Sequence, residues 1–293
     1  MTAAILYGVG ATKAGTSWLY RALHDHPDCA LKAVKELHYW DTFEPEVRGR
    51  QVAALEARLA GYEAQRAEAL AADRGWQVTN MDRRIADLSG LLDVLTGDRA
   101  GDAGYLRYLS PGAALVADMT PGYSVLDTVT FARMAQAPRA LFVFLIRDPF
   151  ARLWSHVRMQ AERQKQPHET FEEKANNILW RILHRGQETH VLARGDYPGT
   201  VARLRGAVPA ARLRVEYCER MFTADGFADL CRWLGIAPHA ADAEVAHEGP
   251  KAAVKPELRA RAVRFLKDHY DWAAREVGPL PQAWQDNLAR AKA

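Results

Sequence analysis

With 293 residues, 48% of them hydrophobic and 26% charged, the chain has the composition of a globular protein able to bury a sizeable core in one or two domains. The same figures exclude collagen-like, disordered and predominantly membrane-embedded classes. Its 39 basic and 36 acidic residues leave a formal charge of +3, too mild to imply a nucleic-acid partner, though compatible with a local anion site.

The N-terminal stretch MTAAILYGVGAT has no basic n-region and an apolar run too short for a signal sequence. Ile5 to Gly10 reads as a short buried strand, and Thr16 to His24 carries Trp18, Leu19 and Leu23 at helical spacing, giving strand, loop, helix. Gln51 to Gly104 is rich in Ala, Arg and Glu, holds two helical patterns and no strand signal, and is expected to be a helical insertion (51–104). Ala114 to Ala117 is a second strand, followed by the turn Thr120-Pro121-Gly122 and a helical pattern from Leu126 to Met134.

Ala140 to Ile146 has no polar interruption, as expected of a parallel strand buried on both faces near the centre of a sheet. Arg147-Asp148-Pro149 then supplies a cap and a first-turn proline for a helix running to about Lys165. Arg212 to Tyr217 reads as a further strand, Asp225 to Leu234 as a helix closed by Gly235, Lys255 to Val277 as one long helix, and the tail after Pro279 as loop. No stretch reaches the ~18 apolar residues of a membrane span. Cys29, Cys218 and Cys231 are too scattered for a disulfide framework or a zinc site, so a reducing, cytoplasmic setting is expected. Strands alternating with helices imply an α/β fold, a central parallel sheet with helical layers on both faces.

Two segments carry chemistry. Gly10-Ala-Thr-Lys-Ala-Gly15-Thr16-Ser17 lies between a strand and a helix, where successive backbone N–H groups and the helix dipole form an anion cradle. Its glycine spacing is that of a Walker A loop, but Thr16 stands where that motif has lysine, and the lysine has moved inside the loop to Lys13. An ATP-dependent kinase is therefore the weaker reading, and turn geometry alone would also account for the glycines. Arg147 ends the strongest strand, and Ser155 lies two helical turns further on, so both can face the carboxyl ends of the strands, where open α/β sheets bind ligands. Arginine with a hydroxyl suits a phosphate dianion, the competing reading being a local Arg147–Asp148 pair.

In both segments the chain resembles the sulfotransferases that use 3′-phosphoadenosine-5′-phosphosulfate. Lys13-Ala14-Gly15-Thr16-Ser17-Trp18 is similar to that family's 5′-phosphosulfate loop, and Arg147 with Ser155 eight residues on is similar to its 3′-phosphate motif. The resemblance implies a three-layer P-loop-like fold in a single domain over 1–293, a phosphosulfate donor released as adenosine 3′,5′-bisphosphate, and no metal. It assigns Lys13 to the bridging oxygen, Ala14 and Gly15 to Ser17 to the 5′-phosphate, and Arg147 with Ser155 to the 3′-phosphate. Arg152 is a secondary phosphate candidate, and Trp18 would stack on adenine unless it packs in the core. Lys35-Glu36-Leu37-His38-Tyr39-Trp40-Asp41 is similar to a segment of the glycan O-sulfotransferase branch whose glutamate is the catalytic base, implying Glu36 as base with His38 as its competitor. Val116 to Tyr123 is similar to another segment of that branch but has Met119 in place of its lysine, and a methionine cannot donate to a sulfate oxygen. Asp118 could support the base or serve the turn.

The loop His247 to Lys251 falls where the family closes a segment over the nucleotide, which makes Lys251 a further candidate. The acceptor, a small molecule, lipid or carbohydrate, is left open, with its specificity expected from Gln51 to Gly104 and His168 to Gly195. A nucleotide-binding module without catalysis is the remaining rival. The modest basic face of Arg158, Arg163 and Lys165 makes a polynucleotide role weaker still.

Overall fold

The computed structural model describes residues 3–110, 112–241 and 249–290. Among them, four strands form one parallel sheet in the order β2-β1-β3-β4: β1 (Ala4–Gly10), β2 (Leu115–Asp118), β3 (Ala140–Ile146) and β4 (Leu213–Tyr217). All of β1 and β2 and nearly all of β3 are buried, which is why those segments are apolar without alternation.

The helices follow in chain order: α1 (Thr16–His24), α2 (Pro45–Ala71), α3 (Gly75–Thr96), α4 (Ala103–Leu109), α5 (Thr128–Met134) and α6 (Pro149–Gln164). After them come α7 (Phe171–Arg185), α8 (Thr189–Ala193), α9 (Tyr197–Arg205), α10 (Cys218–Met221), α11 (Ala224–Leu234), α12 (Pro256–Phe265), α13 (Lys267–Glu276) and α14 (Gln282–Arg290). Several boundaries have legible causes. Asp148 caps α6 by accepting from the Ala151 N–H at 2.7 Å, with Pro149 in the first turn. Thr170 and Glu173 form a capping box at α7, and Gly235 closes α11 in the left-handed conformation at φ 74°.

The inserted helices begin at Pro45 rather than Gln51 and form the α2–α3 hairpin plus α4. Along α2 only Leu55 and Ala69 are buried, whereas Leu88, Leu91 and Leu95 of α3 face the core. Two expectations at the C-terminal end need correction. The span Lys255 to Val277 is two helices, because the backbone leaves helical geometry at Leu266, where φ is −94° and ψ 9°. The tail after Pro279 contains α14, held by a completely buried Trp284 that packs edge-on against Tyr217 and Tyr270 and donates its Nε1–H to Glu219 at 2.8 Å.

The chain runs from β1 to one neighbour, β2, and then crosses to the other, β3. The crevice between the carboxyl ends of β1 and β3 is thus a topological switch point, the expected ligand position in such a sheet.

Candidate active site

The β1–α1 loop has a shape that only glycine permits at two places. At Gly10, with φ 145°, a Cβ would fall 2.9 Å from the Phe144 ring and 3.0 Å from the Ser124 side chain. At Gly15, with φ 91°, it would fall 2.5 Å from the Phe222 ring. The Ala11 N–H donates to the Leu145 carbonyl at 2.7 Å, tying the loop to β3, and the Ala14 N–H closes the turn on the Ala11 carbonyl at 3.1 Å. Gly15 is the N-cap of α1 and offers no side-chain cap, and the first N–H groups of a helix, here those of Thr16 and Ser17, have no acceptor within the helix.

Arg147 reaches this loop: its Nη1 donates to the Lys13 carbonyl at 3.3 Å. The Arg147 carbonyl is fixed by the Tyr197 hydroxyl at 2.7 Å. Asp148, the residue that could have paired with Arg147, is turned into the protein instead. It caps α6 and accepts from the Tyr270 hydroxyl at 2.9 Å, and burial pushes its carboxyl up. Ser155 lies buried two turns along α6. The Lys13 ammonium is held below its ordinary range, first by burial and then by charges that are all positive, those of Arg147, Arg158, Lys35 and Arg163. Positive charges that act on one another in this way favour an anion, so the residues present fit a ligand bearing phosphate or sulfate.

Three of the expected ligand residues have other engagements. Arg152 is buried, donates to the Val191 carbonyl at 3.2 Å, lies beside His156 Nδ1 at 3.4 Å, and packs flat on Gly195, where a Cβ would fall 2.3 Å from its Cζ. It joins α6 to α8. Trp18 is 4% exposed, with its indole against Phe222 at 4.9 Å and edge-on to Phe227 at 5.5 Å, so its faces belong to the core. Lys251 is exposed, but the adjacent Pro250 carbonyl accepts from Arg158 Nη1 at 3.1 Å, which brings this segment to the cation group around Lys13. The neighbouring His247 and Glu248 lie outside the described residues.

The segment from Lys35 to Asp41 brings a lysine, a glutamate, a histidine and an aspartate into contact with one another. Leu37, Tyr39 and Trp40 are buried anchors, while Glu36 at φ 66° and His38 at φ 54° take the left-handed conformation, a strained one for such side chains. Glu36 Oε1 lies 2.6 Å from Lys35 Nζ, and its Oε2 lies 3.8 Å from His38 Nε2. His38 Nδ1–H donates to Asp41 Oδ2 at 2.7 Å. Burial acts to raise the Glu36 carboxyl, yet the His38 and Lys35 contacts outweigh it and hold the group at about 2. Burial likewise acts to lower His38, but Asp41 and Glu36 bring it up to about 9, so near neutrality it is an imidazolium. Asp41 was not singled out from the sequence; a carboxylate three residues after the histidine was the available signal.

Asp118 anchors this segment from the end of β2. Completely buried, it accepts from the Thr120, Tyr105 and Tyr123 hydroxyls at 2.6, 2.7 and 2.8 Å. The Tyr123 hydroxyl in turn accepts from the Tyr39 N–H at 2.9 Å. Met119 is buried over β1, its Sδ only 2.4 Å from where a Cβ of Gly8 would stand. Among the described residues no cluster of three His, Cys, Asp or Glu side chains forms a cation site.

A model of the sulfotransferase family matches residues 6–237, well over half of the chain. The chain belongs to that family. This sulfotransferase resembles in fold the sulfotransferase from Alicyclobacillus acidocaldarius, with a TM-score of 0.59, 20% identity, and coverage of 97% of this chain and 100% of that one. The sulfotransferase domain of the Synechococcus PCC 7002 olefin synthase covers 99% of this chain and 93% of its own at 16% identity and TM-score 0.46. That of the curacin biosynthetic pathway covers 100% and 98% at 14% identity and TM-score 0.43. No curated protein matches the sequence. The matched span of the sulfotransferase runs from β1 past α11, so it includes the β1–α1 loop, the Glu36 segment and Arg147, and stops short of Lys251 and α12–α14.

Proposed function

We propose that this sulfotransferase moves a sulfuryl group from 3′-phosphoadenosine-5′-phosphosulfate to a hydroxyl or amine of a small-molecule, lipid or carbohydrate acceptor. The single observation carrying this reading is the meeting of Arg147 with the Lys13 turn, which puts one cationic motif at each of two adjacent strand ends. The nucleotide supplies the sulfuryl group and an anionic leaving group. Lys13 and the N–H groups of Gly15, Thr16 and Ser17, together with the Ala14 turn, hold the 5′ end, and Arg147 with Ser155 holds the 3′-phosphate that sets this donor apart from ATP. Lys251 closes over the nucleotide from the strap pinned at Arg158. Trp18 shapes the adenine side through Phe222, and Arg152 acts indirectly by fixing α6 to α8.

In the transfer, the bond from sulfur to the nucleotide's bridging oxygen breaks while a bond from sulfur to the acceptor oxygen forms in line with it. The acceptor's proton passes to Glu36. Between the two bases weighed in the sequence, the charges favour Glu36: it is ionised near neutrality, whereas His38 already carries its proton. Asp41 and His38 then orient the carboxylate. The whole chain is read as one sulfotransferase domain acting in the cytoplasm, a setting that suits its cysteines, which are free among the described residues.

The test is a screen of hydroxyl and amine acceptors with radiolabelled phosphosulfate donor and no added metal, using Lys13→Ala as the blank. Glu36→Gln is expected to lower kcat about 10²- to 10⁴-fold, the range for a positioned general base, while still binding adenosine 3′,5′-bisphosphate. Unchanged transfer by Glu36→Gln would remove the glutamate from its role.

A further inference from the structure

A carboxylate held at about 2 is a poor proton acceptor, and the cause lies in the two cations that clamp it. One of them, His38, is itself fixed by Asp41 at 2.7 Å. The other, Lys35, has its Nζ 2.6 Å from Glu36 Oε1 and carries a compact charge on a flexible stem, so it can swing where the imidazolium cannot. The Lys35 charge is also among those acting on Lys13, together with Arg147, Arg158 and Arg163. The same ammonium therefore pairs with Glu36 and adds to the positive charge acting on Lys13. No second ammonium comes from the end of β2, where Met119 is buried over Gly8.

Resting on the donor proposed above, we propose that Lys35 is a shuttle, paired with Glu36 in the empty site and drawn onto the donor's phosphosulfate end when the nucleotide binds, so that donor binding releases the base. A ligand carrying more than one negative charge outcompetes a single carboxylate for one ammonium at similar range. Glu36 then keeps only His38 beside it and becomes the stronger base once the sulfuryl group is in place. The clamp thus orders the reaction, and the proton acceptor is masked until there is something to transfer.

The experiment is a calorimetric double-mutant cycle with adenosine 3′,5′-bisphosphate as the probe, on wild type, Lys35→Met, Glu36→Gln and the double variant, with Lys35→Gln as a second neutral replacement and Lys35→Arg as the conservative one. Lys35→Met and Lys35→Gln are expected to weaken binding about tenfold, with Lys35→Arg near wild type. Glu36→Gln is expected to tighten it about fivefold by freeing Lys35, and to give no such gain when position 35 is neutral. A general loss of negative charge would instead give the same gain in both backgrounds, and that result, like unchanged affinity in both neutral Lys35 variants, overturns the shuttle. Failure of the wild type to bind the probe at all would overturn the donor assignment, which separates the two claims.

Discussion

One constraint in the site is a single missing Cβ. Gly15 combines a φ of 91° with a contact to Phe222 that no side chain could share, so Gly15→Ala is expected to lower stability by about 1–3 kcal/mol and to abolish nucleotide binding. Chemical denaturation measures the first effect and calorimetry the second. Gly61, inside α2 with nothing within 4 Å of its would-be Cβ, is the control of opposite sign, since Gly61→Ala should stabilise by about 0.5–1 kcal/mol. The Glu36–His38–Asp41 group makes a prediction in pH. His38 is raised from 6.5 to about 9 in the folded protein, so its stabilisation is complete below about 6.5 and lost as the pH climbs through 9. Glu36 is lowered from 4.5 to about 2, so its stabilisation is present above 4.5 and lost as the pH falls toward 2. The Tm advantage of wild type over His38→Gln should therefore be widest between about 4.5 and 6.5 and vanish above about 9. A difference that grows from pH 6.5 to 9 would show that His38 is not held protonated. Nothing in the sequence announces that Glu36 and His38 sit at positive φ. Glutamate does not favour that conformation and histidine adopts it only in a minority of cases, and both residues alternate here with the buried Leu37, Tyr39 and Trp40.

At the scale of elements, the Lys35–Asp41 segment is tied to the end of β2. The Tyr123 hydroxyl donates to Asp118 and accepts from the Tyr39 N–H, so Tyr123→Phe leaves a buried carboxylate short of one donor and a buried N–H without its acceptor. Each such group typically costs about 1–3 kcal/mol, and denaturant unfolding should show a loss in that range or above. Steady-state kinetics should show kcat falling more than the nucleotide's KM rises, because Arg147 and the Lys13 turn are held by other residues. Equal effects on both would place Tyr123 in general packing. The elements themselves were legible to differing degrees, for physical reasons. Ala140 to Ile146 was readable residue for residue because a strand buried on both faces tolerates no polar interruption. The start of α6 was equally clear from Asp148 and Pro149. His168 to Gly195, which holds α7 and α8, was read only as a variable segment, although Thr170 and Glu173 form a capping box there. Trp18 shows the limit of a motif: the residue stands where expected, but Phe222 and Phe227, distant in sequence, decide that its faces are covered.

Across the whole molecule, the parts visible in sequence are those fixed by short-range chemistry, the α/β alternation, the glycine-bounded β1–α1 loop and the arginine at the end of β3. The parts that were missed are those made by long-range packing. The polar tail Gln282 to Arg290 has no run of apolar residues, yet Trp284 carries it into the core between Tyr217 and Tyr270. Trp284→Ala should cost about 3–5 kcal/mol, read as a drop in Tm, and leave Glu219 without its indole donor. A change below 1 kcal/mol would mean that α14 is not part of the stable fold. The sheet order places β1 and β3 side by side with their carboxyl ends together, and that adjacency lets Arg147 reach the Lys13 turn 134 residues away. The most direct measurement is a calorimetric comparison of adenosine 3′,5′-bisphosphate with adenosine 5′-phosphate, for wild type and Arg147→Ala. A preference for the bisphosphate of about tenfold or more, the size of one charged hydrogen-bonding contact, is expected in the wild type and should disappear in the variant. Equal affinity of the wild type for the two nucleotides would contradict the assignment of the two strand ends to the two ends of one donor.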